Sequence, residues 1–126
     1  MTTKLFEMRE EILHSFDGEI RPLVVFIDYL LDLGWGKRTD VYFFLSMGSF
    51  CVALESEGWK DKPLISVSQY TRNELTIKFR VYLEKRSGFV RTVAHQIVCK
   101  KSESIESFEK LFLLLEDAYE SDSEKE

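Results

Sequence analysis

The sequence has only two cysteines and two histidines among its 126 residues. Cys51 and Cys99 stand far apart, each in an apparent strand, so they lack the spacing of a redox pair or a zinc site. We expect two buried free thiols, which fit a reducing compartment. His14 and His95 fall in unrelated segments, and no nucleophile, base and orienting group can be assembled around either. The chain is therefore predicted to be a non-enzyme with no catalytic residue, metal site or cofactor.

Long apolar runs and an excess of basic residues are also missing. The longest apolar region, LVVFIDYLLDLGW, contains Asp28 and Asp32 and is too short to span a bilayer. The first residues, MTTKLFEMREEILHSFD, have no apolar core of a signal peptide. Lys and Arg total 17 against 22 Asp and Glu, and the net charge of −5 disfavours duplex nucleic acid or an anionic membrane as main partner. We expect an acidic cytoplasmic protein.

The spacing of apolar residues changes along the chain from helical to strand-like and back. Helical spacing predicts one helix that ends near Asp17-Gly18, a second from near Pro22 to a cap at Gly34, and a third after residue 102. Strand-like apolar segments between turn signals predict five strands near 41–45, 50–55, 65–70, 74–84 and 89–100, with the polar loop SEGWKDKP after the second and short turns at the other connections. The fold class is therefore α+β, with a five-stranded antiparallel meander sheet, two N-terminal helices and one C-terminal helix. Residues 1–120 form a single domain in this prediction, and residues 121–126 form an acidic disordered tail.

The last two strands can pair in more than one register. A three-residue loop at 86–88 would place Val81 opposite Val93 and Ile77 opposite Ile97. A slip by one residue would move Thr92, Ala94 and Gln96 to the core face, which is a poorer core. We favour the first register, in which His95 lies beside Phe79 and is predicted to be a hydrogen-bonded core histidine.

The second face of the predicted sheet mixes basic, aromatic and aliphatic residues. It includes Thr76, Lys78, Arg80, Tyr82 and, in the favoured register, Val90, Thr92, Ala94, Gln96 and Val98. Three explanations stay open: a half-apolar surface covered by a helix or by long basic side chains, a protein interface, and a site for single-stranded nucleic acid. Strands 41–45 and 50–55 are apolar on both sides, so part of this face must be covered.

Several apolar residues are predicted to point away from the core. Leu113 falls among charged residues of the last helix, and Val25 and Tyr29 fall beside the aspartates of the second helix. Trp59 lies in the polar loop SEGWKDKP, where it either covers a core edge or anchors a partner. GWGKRT (34–39) lacks the glycine spacing and strand-to-helix order of a phosphate loop, so we interpret it as a turn in which Gly34 caps a helix and Trp35 packs over the core.

These features predict a non-enzymatic protein-binding module, such as an inhibitor, an immunity-type protein, an adaptor or a chaperone, that occludes a partner surface. The acidic face of the last helix, with Glu106, Glu109, Glu116, Asp117 and Glu120, favours a basic partner such as a nucleic-acid-binding protein. The partner-binding residues in this prediction are Val25, Tyr29, Trp59, Lys78, Arg80, Tyr82 and Leu113. The alternative is single-stranded nucleic-acid binding through Lys78, Arg80 and Tyr82. Self-association into a homodimer is a separate prediction.

Overall fold

Two helices, five strands and a third helix follow one another along the chain. A computed structural model describes residues 4–15, 21–46, 49–55, 62–85 and 88–124. The elements are α1 (Lys4–Ser15), α2 (Arg21–Asp32), β1 (Tyr42–Ser46), β2 (Ser49–Ala53), β3 (Leu64–Gln69), β4 (Glu74–Lys85), β5 (Gly88–Lys100) and α3 (Ser104–Glu124), with 3₁₀ turns at Trp35–Lys37 and Lys101–Glu103. The strands pair in sequence order, and every pair is antiparallel. The predicted α+β meander is therefore confirmed.

All three helices pack against one face of the sheet, which we call the inner face. Alternate residues of each strand point to it, and they join the buried stripes of the helices in one core cluster. Aromatic rings form its centre: the Phe108 ring lies 5.4 Å from that of Phe26, and Phe26 lies 5.9 Å from Phe50, both in edge-to-face arrangements. The core thus joins α2 and α3 to the middle of the sheet.

The opposite, outer face carries a second buried cluster. Cys51, Ala53 and Leu64 are almost completely buried, and Phe44 packs against them. The register places these side chains on the outer face, because their neighbours Phe50, Val52 and Ile65 belong to the inner core. The prediction that part of this face is covered is confirmed for β2 and the start of β3, whereas on β1 Phe44 is half-buried and Tyr42 is 42% exposed.

The register between β4 and β5 agrees with the prediction on one side of a β-bulge and differs on the other. Ile77 pairs with Ile97 and Phe79 with His95, but Arg80 pairs with Val93, so Ala94 is an extra residue in β5. Val81 consequently lies opposite Thr92, and the predicted Val81 to Val93 pairing is wrong. Lys85 pairs with Gly88, which leaves two residues between the strands instead of three.

The bulge moves side chains between the two faces. Val93, which we had predicted on the inner face, lies on the outer face opposite Arg80, and Thr92, which we had predicted on the outer face, takes the inner position opposite Val81. His95 keeps its place beside Phe79, with 6.3 Å between the ring centroids, but it is exposed, so the prediction of a core histidine is wrong. The physical reason is its position on an edge strand, where the sheet has a neighbour on one side only.

Helix α3 is longer than predicted. It continues to Glu124, and so includes the first four residues of the segment that we had predicted to be a disordered tail. No glycine or proline occurs in residues 104–124 to end the helix, and each further helical residue adds one backbone hydrogen bond. Residues 125 and 126 lie outside the described residues.

Gly34 ends α2 in the left-handed conformation, as the sequence predicted. Its φ is +85°, and its N–H donates to the carbonyl of Leu31 across 3.1 Å. This bend turns the chain so that Trp35 packs on α3, with its ring 5.2 Å from that of Phe108 and 4.9 Å from that of Phe112. The segment GWGKRT is thus a structural turn.

Replacing Gly34 by alanine is expected to lower the free energy of unfolding by about 1–2 kcal/mol. A Cβ at this position would meet nothing within 4 Å, so the loss comes from backbone strain and not from a clash. Urea denaturation measures it. Gly34→Asn is the control and should lose less, because asparagine adopts the left-handed conformation more readily than alanine. Equal losses in the two variants would contradict the strain explanation.

Candidate interaction surfaces

The first candidate surface is a groove along the exposed side of α3. Phe108, Leu111, Phe112 and Leu115 form the buried side of this helix, whereas Leu113 is 64% exposed. At about 100° per residue, Leu113 must point away from that buried side, as predicted. A groove of about 430 Å³ adjoins it. We call it the acidic groove, and its lining residues are Trp35, Arg38, Glu106, Glu109, Lys110, Phe112, Leu113 and Glu116.

The charge around Leu113 is predominantly negative. Residues 104–124 include seven Asp or Glu and a single base, Lys110. The Lys110 ammonium lies 3.7 Å from the Glu106 carboxylate one turn away, so that base is partly neutralised by a neighbour. Glu109, Asp117 and Glu120 are exposed. Leu113 is therefore an exposed apolar side chain within a predominantly negative surface.

Arg38 forms a fixed wall of the acidic groove. Its guanidinium lies 4.5 Å from the ring centroid of Trp35 and 5.1 Å from that of Phe112, in cation–π geometry. Its Nε donates to Asp40 Oδ1 across 2.9 Å, and its Nη2 donates to Asp40 Oδ2. This hydrogen bonding raises the pKa of Arg38 and lowers the pKa of Asp40. Arg38 is therefore already paired, and it does not reverse the acidic character of the groove.

The second candidate surface is the open edge of the sheet along β5. We call residues 92–99 the β5 edge. Among the strands that the structure describes, β5 is the last of the sheet and pairs only with β4. Val93 is 40% exposed and Val98 is 43% exposed, and Ala94, His95 and Gln96 between them are exposed as well. Val98 lies on the outer face opposite Thr76, and the bulge brings Val93 to the same face, opposite Arg80. The edge thus presents aliphatic side chains together with the backbone groups that point away from β4.

The basic residues of the outer face are more enclosed than the alternating pattern suggested. Lys78 and Arg80 are half-buried, and Ser66 and Thr76 beside them are buried. Arg80 Nε donates to Ser66 Oγ across 3.1 Å. One N–H donor of the Arg80 guanidinium is thus used within the sheet and is not available to a phosphate.

The predicted partner-binding residues do not form one surface. Leu113 lies in the acidic groove, whereas Lys78 and Arg80 lie on the outer face of the sheet. Val25 and Tyr29 are half-buried on α2, whose Asp28 accepts a hydrogen bond from Arg9 Nε on α1. Trp59 and the side chain of Tyr82 lie outside the described residues, so their roles stay predictions.

The sequence suggested Trp35 as a possible anchor for a partner, but it indicated neither the contact of Trp35 with Arg38 and Phe112 nor the outward position of Val93. Trp35, Arg38 and Phe112 meet only because the turn after α2 folds onto α3. Val93 faces outward only because of the bulge, and no glycine marks that bulge in the sequence. The aromatic and basic residues of GWGKRT were the available signal for the groove.

No metal or thiol site emerges from the part of the chain that the structure describes. Its His, Cys, Asp and Glu residues form no group of three that could hold a metal ion. Cys51 and Cys99 are buried and form no disulfide, as predicted. Burial raises the pKa of the Cys99 thiol and so disfavours the nucleophilic thiolate. Among the described helices, none combines the length and apolar character needed to cross a membrane.

Comparison of the chain with protein-family models, with curated proteins and with solved structures finds no match.

Proposed function

We propose that this protein is a non-enzymatic protein-binding module that uses the acidic groove to occlude the surface of a basic partner. The observation that carries this proposal is Leu113, a large aliphatic residue that is 64% exposed beside a groove walled by Trp35 and Phe112. Complete burial of a leucine side chain contributes about 1.5–3 kcal/mol. Because Leu113 is 64% exposed, a partner that covers it gains at most about two-thirds of that energy.

The charges of α3 favour a basic protein over other partners. Carboxylates that surround an apolar contact accelerate the approach of a positively charged surface and exclude acidic competitors. The groove offers no comparable attraction to the phosphates of a nucleic acid. An inhibitor or adaptor that covers the basic site of a nucleic-acid-binding protein fits this chemistry best.

We also propose a cytoplasmic location. Two buried cysteines that form no disulfide suit a reducing compartment.

Replacing Leu113 by lysine is expected to weaken partner binding by about 2 kcal/mol or more, or roughly 30-fold in Kd. The substitution removes the apolar contact and places a cation against the basic partner. Wild-type protein and variant would be used to capture partners from a lysate of the producing cells. Captured proteins would be identified by mass spectrometry, and the interaction would be reconstituted from purified components for measurement of Kd.

Tyr70→Lys is the matched control. Tyr70 is 63% exposed at the turn between β3 and β4, so this variant makes the same charge change at a distant exposed aromatic residue. It should bind like wild type, and added salt should weaken the complex because it screens the attraction. An acidic partner, or a partner that binds Leu113→Lys as tightly as wild type, would contradict the proposal.

Single-stranded nucleic-acid binding through Lys78, Arg80 and Tyr82 is the second candidate, and we do not favour it because Arg80 is already bonded to Ser66. If this candidate is correct, labelled single-stranded nucleic acid should bind the wild type and should not bind a Lys78→Glu/Arg80→Glu variant. Wild-type protein that binds no labelled strand at low salt would remove this candidate.

A further inference from the structure

We infer that the β5 edge pairs with the β5 edge of a second copy of this chain, in antiparallel orientation, so that two sheets join into one continuous sheet. This homodimer contact goes beyond the proposed function and uses a different surface. It rests on the exposure, length and lack of charge of one edge strand.

The two edges of the sheet differ in how open they are. β1 is five residues long, and most of its aromatic side chains are at least half-buried, so it offers little backbone for further pairing. β5 is 13 residues long, and five of the residues on the β5 edge are exposed. A long, exposed and partly aliphatic edge is a template for another strand.

The bulge at Ala94 disfavours pairing of the β5 edge with another strand, but it affects only part of the edge. Bulges twist an edge away from partners. From His95 to Lys100 the pairing with β4 is regular, without a further shift. This regular segment keeps its outward N–H and C=O groups in the spacing that an added antiparallel strand needs.

Charge indicates a second copy as the occupant. Residues 92–99, TVAHQIVC, contain no Asp, Glu, Lys or Arg, although 31% of the chain is charged. A symmetric antiparallel pair places the same segment against itself, so any ionised residue near the axis would face its own like charge across the contact. The β5 edge brings no such pair of like charges together. Each copy has a net charge of −5, so the copies repel at long range and can approach most closely along an uncharged edge.

The two proposed contacts should respond to salt in opposite ways. Salt screens the attraction between the acidic groove and a basic partner and weakens that complex. It also screens the repulsion between two acidic copies, so the homodimer should be unchanged or tighter at higher salt. A homodimer that dissociates as salt rises would overturn the proposed contact.

The test is the molar mass in solution, measured by light scattering over a range of concentrations. Wild type should rise from 14.8 kDa towards twice that value as the concentration increases. Val98→Lys introduces a charge at an exposed position of the edge, and it should raise the dimer dissociation constant by about a hundredfold because two like charges are brought together. Tyr70→Lys and Leu113→Lys make the same charge change elsewhere and should dimerise like wild type.

Hydrogen exchange on the wild type gives a second readout that needs no variant. Amides of residues 92–99 should become more protected in concentrated than in dilute protein, because their outward N–H groups then donate to the second copy. This measurement decides the matter if Val98→Lys fails to fold.

Three further outcomes would overturn the inference: a single-chain mass at the highest concentration, a dimer that Val98→Lys leaves intact, or concentration-dependent protection that falls on α3 and not on the β5 edge. Protection of residues 92–99 that arises only when a different protein is added would assign the edge to that partner. Failure here leaves the acidic groove untouched, because Val98→Lys keeps Leu113 and should still bind the basic partner.

Discussion

Replacing Phe108 by alanine is expected to lower the free energy of unfolding by about 3–5 kcal/mol. Phe108 is fully buried, and its ring contacts those of Phe26, Trp35 and Phe112 at centroid distances of 5.4, 5.2 and 5.8 Å. Removing it leaves a cavity where α2, α3 and the turn after Gly34 meet. Since a domain of this size is stable by about 5–15 kcal/mol, the variant should lose a large share of its stability.

Urea denaturation followed by far-ultraviolet circular dichroism is the suitable measurement, because Trp35 touches Phe108 and its fluorescence would change for local reasons. The midpoint should fall while the dependence on urea stays the same, which indicates a change of stability alone. Tyr70→Ala removes an exposed aromatic ring and should change stability by at most about 0.5 kcal/mol. A Phe108→Ala loss below about 1 kcal/mol would show that this aromatic centre contributes far less than its burial implies.

The elements of the fold could be predicted because each follows a short-range rule. Period-two alternation in β4 and helical spacing in α1 and α3 result from backbone geometry, and burial of one side then selects the pattern. Gly34 was predictable for a similar reason, since a helix end with positive φ favours glycine. Leu113 was also predictable, because its angular position on α3 excludes it from the buried side.

The bulge at Ala94 could not be predicted, since residues on both sides of β5 are apolar enough to occupy either face. Thr92 and Val93 are similar in shape, so the pattern of apolar residues along β5 does not decide which of the two faces the core. Exchanging them changes which side chain faces outward, and with it the composition of the β5 edge. The acidic groove was hidden for another reason: its wall depends on Trp35 and Arg38 folding onto Phe112, which is a contact between distant segments.

Replacing Leu64 by alanine is expected to lower the free energy of unfolding by about 2–5 kcal/mol. A one-sided sheet would leave this outer-face position in contact with water, and the substitution would then cost almost nothing. Leu64 is instead fully buried and clusters with Cys51 and Ala53, so its truncation creates a cavity away from the main core. The same urea titration measures this loss.

Leu113→Ala is the matched control for Leu64→Ala, because it makes the same chemical change at a leucine that is 64% exposed. Its effect on the free energy of unfolding should stay within about 0.5 kcal/mol. A large loss of unfolding free energy in Leu64→Ala, together with a negligible loss in Leu113→Ala, would mean that the chain itself covers the outer face near β3. The side of α3 that carries Leu113 would then be exposed to solvent. Equal, small losses would mean that the cluster around Leu64 contributes little to folding, and the outer face would then be open to a partner as well.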